Sequence, residues 1–171
     1  MGNEPSTSTK AVKTTKTSPA AWRPLALSLT VVQARGLRHT SLWGMDAPYC
    51  AVQLDSRKRK KPVFEAETAV DREDGGFWNE TFRIRVDDPA AETVVLHVLN
   101  ANAWLMEEVA VCAIPLASFV HGCIEDMWIP LYDPTHKKAA WQGEIRVRIQ
   151  LHGDLRSYRQ AYYQSKYTYL K

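Results

Sequence analysis

The feature that most constrains this chain is a strict alternation of apolar and polar residues that recurs in three widely separated stretches. Leu25, Leu27, Leu29 and Val31 alternate with Ala26, Ser28 and Thr30; Phe82, Ile84 and Val86 with Thr81, Arg83 and Arg85; Ile145, Val147, Ile149 and Leu151 with Glu144, Arg146, Arg148 and Gln150. A period of two belongs to a β-strand with one dry face and one wet face, and it does not fit an amphipathic helix. Shorter apolar runs at 49–54, 62–70, 94–99, 109–115 and 128–131 read as further strands, bounded by turn residues such as Gly75-Gly76, Asp87-Asp88-Pro89 and Asp133-Pro134. About eight strands and no long helical pattern predict an all-β chain folded as an antiparallel sandwich, with a helical turn or two at most over 114–120.

A chain of 171 residues, 45% hydrophobic, is long enough for one such domain with a proper core, placed here at residues 24–153. It has no stretch near the roughly 20 apolar residues of a membrane span and no secretory signal pattern, so a soluble, intracellular protein is expected. Three cysteines, Cys50, Cys112 and Cys123, lie scattered in apolar surroundings. They read as reduced, buried thiols rather than a disulfide framework.

Charge divides the chain into three. Residues 1–23 carry Lys10, Lys13, Lys16 and Arg23 against Glu4; residues 154–171 carry Arg156, Arg159, Lys166 and Lys171 against Asp154. Each arm is therefore +3 in a chain of net charge +3, which leaves the middle at −3. The N-terminal arm is rich in Ser, Thr, Lys and Pro and cannot bury enough surface to offset the entropy of ordering it, so both arms are expected to be flexible extensions.

The order of Gly36-Leu37, Gly44-Met45-Asp46-Ala47-Pro48-Tyr49, Phe77-Trp78-Asn79-Glu80-Thr81-Phe82, Trp128-Ile129-Pro130-Leu131 and Gly143-Glu144-Ile145 resembles the C2 domain family over about residues 24–153. The resemblance implies eight antiparallel strands in two sheets, with loops at one end forming a calcium- and membrane-binding tip. Calcium takes six to eight oxygens, and carboxylates supply the charge of a physiological site. At the family's acidic positions this chain has Ser41, Ala47, Asn100 and Asn102, with Glu108 at the last; Asp46 sits one residue early and, by alternation, points away. Little or no calcium binding is expected, and no metal or cofactor. Asn100 and Asn102 read most simply as turn caps.

The same two loops carry Leu42, Trp43 and Met45, and Trp104, Leu105 and Met106. Exposed on a docking tip, they suit insertion at a lipid interface; alternatively they fold over the sandwich end or meet a protein partner. The run Arg57-Lys58-Arg59-Lys60-Lys61 lies just before, or at the start of, the strand beginning at Pro62, where the resemblance implies a lysine-rich strand that binds phosphoinositide head groups. Arg83 and Arg85 extend that patch, and Arg146 and Arg148 are further candidates or simply a solvated face. An anionic protein surface or a nuclear-import signal fits the run as well. Nucleic acid is not indicated, because no base-reading module accompanies the charge.

An enzyme is not indicated either. His39, His97, His121, His136 and His152 are dispersed, and zinc spacing, a phosphate loop and a nucleophile motif are all missing from the sequence. The C-terminal segment 154–171 sets Tyr158, Tyr162, Tyr163, Tyr167 and Tyr169 among Arg, Lys and Gln, a composition suited to docking on a protein partner or on its own sandwich. Met1-Gly2-Asn3-Glu4-Pro5-Ser6 fits the N-myristoylation pattern at Gly2, which with Lys10, Lys13 and Lys16 would make a composite anchor. The expectation is a non-enzymatic, calcium-independent domain on anionic phospholipid or phosphoinositide, cytoplasmic and peripheral to a membrane. Its alternative is a protein-binding scaffold subunit of a cytoskeletal or ciliary assembly.

Overall fold

The computed structural model describes residues 25–38, 46–71, 76–102, 107–135 and 140–153. They form eight strands: β1 Leu25–Arg35, β2 Pro48–Ser56, β3 Phe64–Glu67, β4 Phe77–Val86, β5 Glu92–Asn100, β6 Glu107–Pro115, β7 Ile124–Tyr132 and β8 Trp141–His152. Hydrogen bonding orders them β3-β2-β5-β6-β7-β8-β1-β4, every pair antiparallel. The β6–β7 junction is a single bridge, Val111 to Tyr132, so the sheet consists of two four-stranded halves. Their inward residues form one buried cluster, with Leu27, Leu29, Val31, Ile145, Val147 and Ile149 from one half and Cys50, Val52, Leu54, Val94, Leu96 and Val98 from the other. This is the expected all-β sandwich.

Most strands run longer than the apolar pattern suggests, because polar residues at their ends still complete the backbone ladder. The exception is the stretch at 62–70, of which only Phe64–Glu67 is strand. Pro62 has no N–H to give to a ladder. Beyond Glu67 the chain bends towards the start of β2: Cys50 N donates to Thr68 Oγ1 at 2.9 Å and Asp71 N to Pro48 O at 2.9 Å. In β1 a register shift between Val31 and Gln33 interrupts the alternation, and two successive valines, Val31 and Val32, are both buried. The stretch at 114–120 contains one 3-10 turn, Leu116–Ser118. Gly143, at φ 109°, passes so close to Arg35 that a Cβ would sit 2.4 Å from its carbonyl oxygen. Only glycine fits there.

Two of the three cysteines are buried as expected, and the third is not. Cys50 and Cys112 are buried, and desolvation pushes both thiols up, Cys112 to about 12, so they stay protonated. Cys123 is exposed, because it lies in the β6–β7 connection rather than on a strand.

The antiparallel order sorts the connections to opposite ends. The β1–β2, β3–β4, β5–β6 and β7–β8 connections share one end; β2–β3, β4–β5 and β6–β7 share the other, together with Leu25 and Gly153. From Pro48 to Ser56, β2 separates the two by ~26 Å at about 3.3 Å per residue.

Candidate functional site

At the loop end, Asn100 closes the last turn of β5 and is 1% exposed. Its Oδ1 accepts from Ala47 N at 3.0 Å and from Asn102 N at 3.1 Å, while its Nδ2 donates to Asp46 Oδ1 at 2.7 Å. Ala101 N adds a bond to Ala47 O at 2.9 Å. Capping the turn is thus one of three tasks for Asn100, which straps the β1–β2 loop to the β5–β6 loop. Asp46 is buried and aimed at Asn100, contrary to the expectation that it points away. Alternation does not reach it because β2 starts only at Pro48. An amide at position 100 can donate to Asp46, whereas a carboxylate there would face another carboxylate. Ala47 is 2% exposed, its methyl group turned into the protein.

Glu108, at the last of the calcium positions, is engaged elsewhere. Glu108 Oε1 meets His97 Nδ1 at 2.5 Å on the outer face of β5 and β6. His97 Nε2, buried, has no hydrogen-bond partner among the described residues. Among the described residues no group of three or more His, Cys, Asp or Glu is placed to hold a metal ion. Trp78 Nε1 donates to Pro48 O at 3.2 Å, and Glu80 Oε1 accepts Ala69 N at 2.7 Å, so the Phe77–Phe82 stretch braces this end. Ser41, Leu42, Trp43, Met45, Trp104, Leu105 and Met106 lie outside the described residues. The strands that flank them end here, at Arg35, Pro48, Asn100 and Glu107.

The basic run lies at the opposite end. Arg57–Lys61 falls wholly in the β2–β3 turn, anchored by Arg57 N to Ala91 O at 2.9 Å, and the strand that follows is Phe-Glu-Ala-Glu. The cations therefore crown a turn instead of lining a basic strand. Two acids from the β4–β5 turn reach into them. Lys58 Nζ bonds Asp88 Oδ2 at 2.7 Å, and that carboxylate raises the Lys58 pKa. Asp87 takes Arg59 at 3.5 Å and Arg85 Nε at 2.9 Å, joining the turn to β4. Arg57, Lys60, Lys61 and Arg83 are exposed and make no ion pair among the described residues.

Arg83 and Arg85 continue onto the outer face of the β4-β1-β8-β7 half, where Arg146 and Arg148 share one acid. Asp126 accepts Arg146 Nε at 2.8 Å and Arg148 Nη2 at 3.1 Å, and these bonds, Arg146 foremost, hold its carboxyl below the usual range. Farther towards the loop end, the Arg35 guanidinium lies 3.9 Å from the Trp128 ring centroid and bonds Glu144 at 2.6 Å. In the sequence Asp87 and Asp88 read only as turn markers. The Lys58–Asp88 pair carries no local signal, since its members are 30 residues apart.

Gly2 and the segment 154–171 lie outside the described residues. Among the described residues no helix is long and apolar enough to cross a membrane.

A family model described as the C2 domain matches residues 25–131. Among curated proteins, the chain is 23% identical over 131 residues to a calcium-dependent lipid-binding protein of Arabidopsis thaliana, covering 74% of this chain and 24% of that protein. It is 27% identical over 99 residues to the probable Ras GTPase-activating-like protein ngap of Dictyostelium discoideum, covering 57% of this chain and 11% of that one. The chain thus spans a quarter or less of these relatives. Among solved structures, a C2 domain of plant Extended Synaptotagmin 1 superposes with a TM-score of 0.65 at 22% identity, covering 78% of this chain and 98% of that one. Human GIVD cytosolic phospholipase A2 gives a TM-score of 0.61 at 18% identity, with 77% of this chain matching 17% of the enzyme.

Proposed function

The chain belongs to the C2 domain family, and we propose that it is a non-enzymatic, calcium-independent member that holds an anionic phospholipid surface through its basic corner. The observation that carries this reading is the cluster made by the β2–β3 turn and β4. Asp87 gathers Arg59 and Arg85, and Arg57, Lys60, Lys61 and Arg83 project around them without acid partners among the described residues. A lysine or arginine near an anionic leaflet contributes about 1 kcal/mol, so three to four free cations suffice for reversible attachment. The lipid-binding function named for the Arabidopsis relative is consistent with this, although calcium enters its name and not this reading.

Calcium independence rests on Asn100, Asp46 and Ala47. The amide that straps the two loops fills the point where opposed carboxylates would draw a cation. The proposal also separates two contacts that the sequence joins. The basic corner and the loops bearing Trp43 and Trp104 lie at opposite ends of β2, so an upright sandwich presents one or the other to a bilayer. A myristoyl group at Gly2 would add a second anchor, joined through residues 3–24 to Leu25, where β1 begins at the same end as the basic corner.

Co-sedimentation with vesicles of phosphatidylcholine containing phosphatidylserine or a phosphoinositide, in chelator and in calcium, tests the reading. Binding in chelator that weakens with salt is expected, because exposed charges are screened over about 8 Å at physiological ionic strength. Failure of the wild-type chain to bind any anionic vesicle would remove the membrane reading and leave the protein-scaffold alternative.

A further inference from the structure

The outer face of the β3-β2-β5-β6 half has a character that the membrane contact does not use. These four strands contain no lysine or arginine. Asp55, Glu65 and Glu67 stand exposed on the outer side, and Glu108 is paired with His97. Between them runs a half-buried floor of Ala51, Val95, Leu99 and Val111, aligned across the strands by the register Glu67–Ala51–His97–Val111 and Glu65–Gln53–Val95–Ala113. Such a face repels an anionic bilayer and suits a cationic segment with broad, flat side chains.

The chain contains such a segment in residues 154–171, with four cations, one acid and five tyrosines. It follows Gly153, which leaves β8 beside the β6–β7 connection: Gly122 N donates to Leu151 O at 2.8 Å, and Gln150 Nε2 to Gly122 O at 3.2 Å. The strand entering that connection is β6, the near edge of the acidic half. A flexible chain of this length has a root-mean-square reach of ~23 Å, nearly five strand spacings of about 4.8 Å. Tethering supplies a millimolar effective concentration, enough for individually weak contacts.

We propose that residues 154–171 dock on the outer face of β3-β2-β5-β6. The tyrosines cover the Ala51, Val95, Leu99 and Val111 floor, and the cations pair with Asp55, Glu65 and Glu67. Full-length protein carrying Cys123→Ser and Thr168→Cys, the new thiol bearing a nitroxide, tests this by paramagnetic broadening of amide resonances. Broadening is expected at Ala51, Val95, His97 and Val111 and not at Arg83 or Arg148 on the opposite face. Arg156→Glu with Arg159→Glu, changes outside the sandwich that leave its folding intact, should reduce the broadening about fivefold, as should Glu65→Lys with Glu67→Lys. Broadening that is absent, evenly spread, unchanged by either pair of reversals or growing with protein concentration would overturn the proposal, the last pointing to a second copy on that face.

Discussion

At one end of the sandwich Asn100 commits its amide to the interior, holding Ala47 N, Asn102 N and Asp46 Oδ1 at 2.7–3.1 Å, whereas at the other Arg57, Lys60 and Lys61 hold their charges out to solvent. Both are polar clusters in loops of one domain, and they act through different states. A buried polar group that loses its partner is stranded in a low-dielectric site, so its removal is read as lost stability. An exposed cation loses little on folding, so its removal is read only when an anionic partner is present. Burial, more than residue type, decides which measurement reports on a residue.

The largest expected effect is on binding. Replacing Arg57, Lys60 and Lys61 together by Gln should weaken binding to phosphatidylserine vesicles about a hundredfold while moving stability by no more than about 0.5 kcal/mol. A urea titration beside the co-sedimentation separates the two; an unfolded variant, or unchanged binding, would break the contrast between the ends.

Next in size is Asn100→Leu, which should lower the unfolding free energy by about 2–3 kcal/mol by stranding Ala47 N and weakening the hold on Asp46. Vesicle affinity of the folded fraction should not change. Asn100→Asp sharpens the point through pH. Two carboxylates in that contact would share a proton, raising the pair's folded pKa above its unfolded value. Its stability should therefore be highest in acid and fall as the pH rises towards 7, the reverse of an ordinary salt-bridged acid, and chemical denaturation at pH 4 and pH 7 will show it.

A smaller change is expected for Asp126→Asn on the arginine face. Asp126 has its folded pKa lowered from 3.8 by Arg146 and Arg148, so its contribution is present above that value and disappears as the pH falls through the folded one. The variant should show a slight drop in urea midpoint at pH 7 that closes in strong acid; a drop that persists there would mean the carboxylate's charge is not the cause. The smallest expected effect is none: calcium to the millimolar range should leave the melting temperature unchanged. A saturable rise at micromolar calcium would show a working site, since a hundredfold excess over Kd stabilises by about 2.7 kcal/mol.

Much of this was legible locally. The alternation at Leu25–Val31, Phe82–Val86 and Ile145–Leu151 marks strands because side-chain direction follows backbone geometry within a few residues, and the order of the loop motifs is enough to point to the family. The outlier is the third strand, where Pro62 and the Thr68 side chain replace ladder bonds that the apolar run at 62–70 suggests. Asp46 shows the same limit, since parity counted from within a strand does not extend past its first residue.

The sequence alone determined which residues alternate, which loops lack acids and where charge is concentrated, since these are properties of neighbours along the chain. Tertiary structure decided what those residues meet: that Lys58 and Arg59 face Asp88 and Asp87, that Asn100 straps Asp46, and that the basic turn stands a strand's length from the loops around Trp43 and Trp104. It also decided that four strands without a lysine or arginine share one face. Pairing in an antiparallel sheet joins residues tens of positions apart, and the energy of a charge or an amide depends on those distant partners and on the water they exclude.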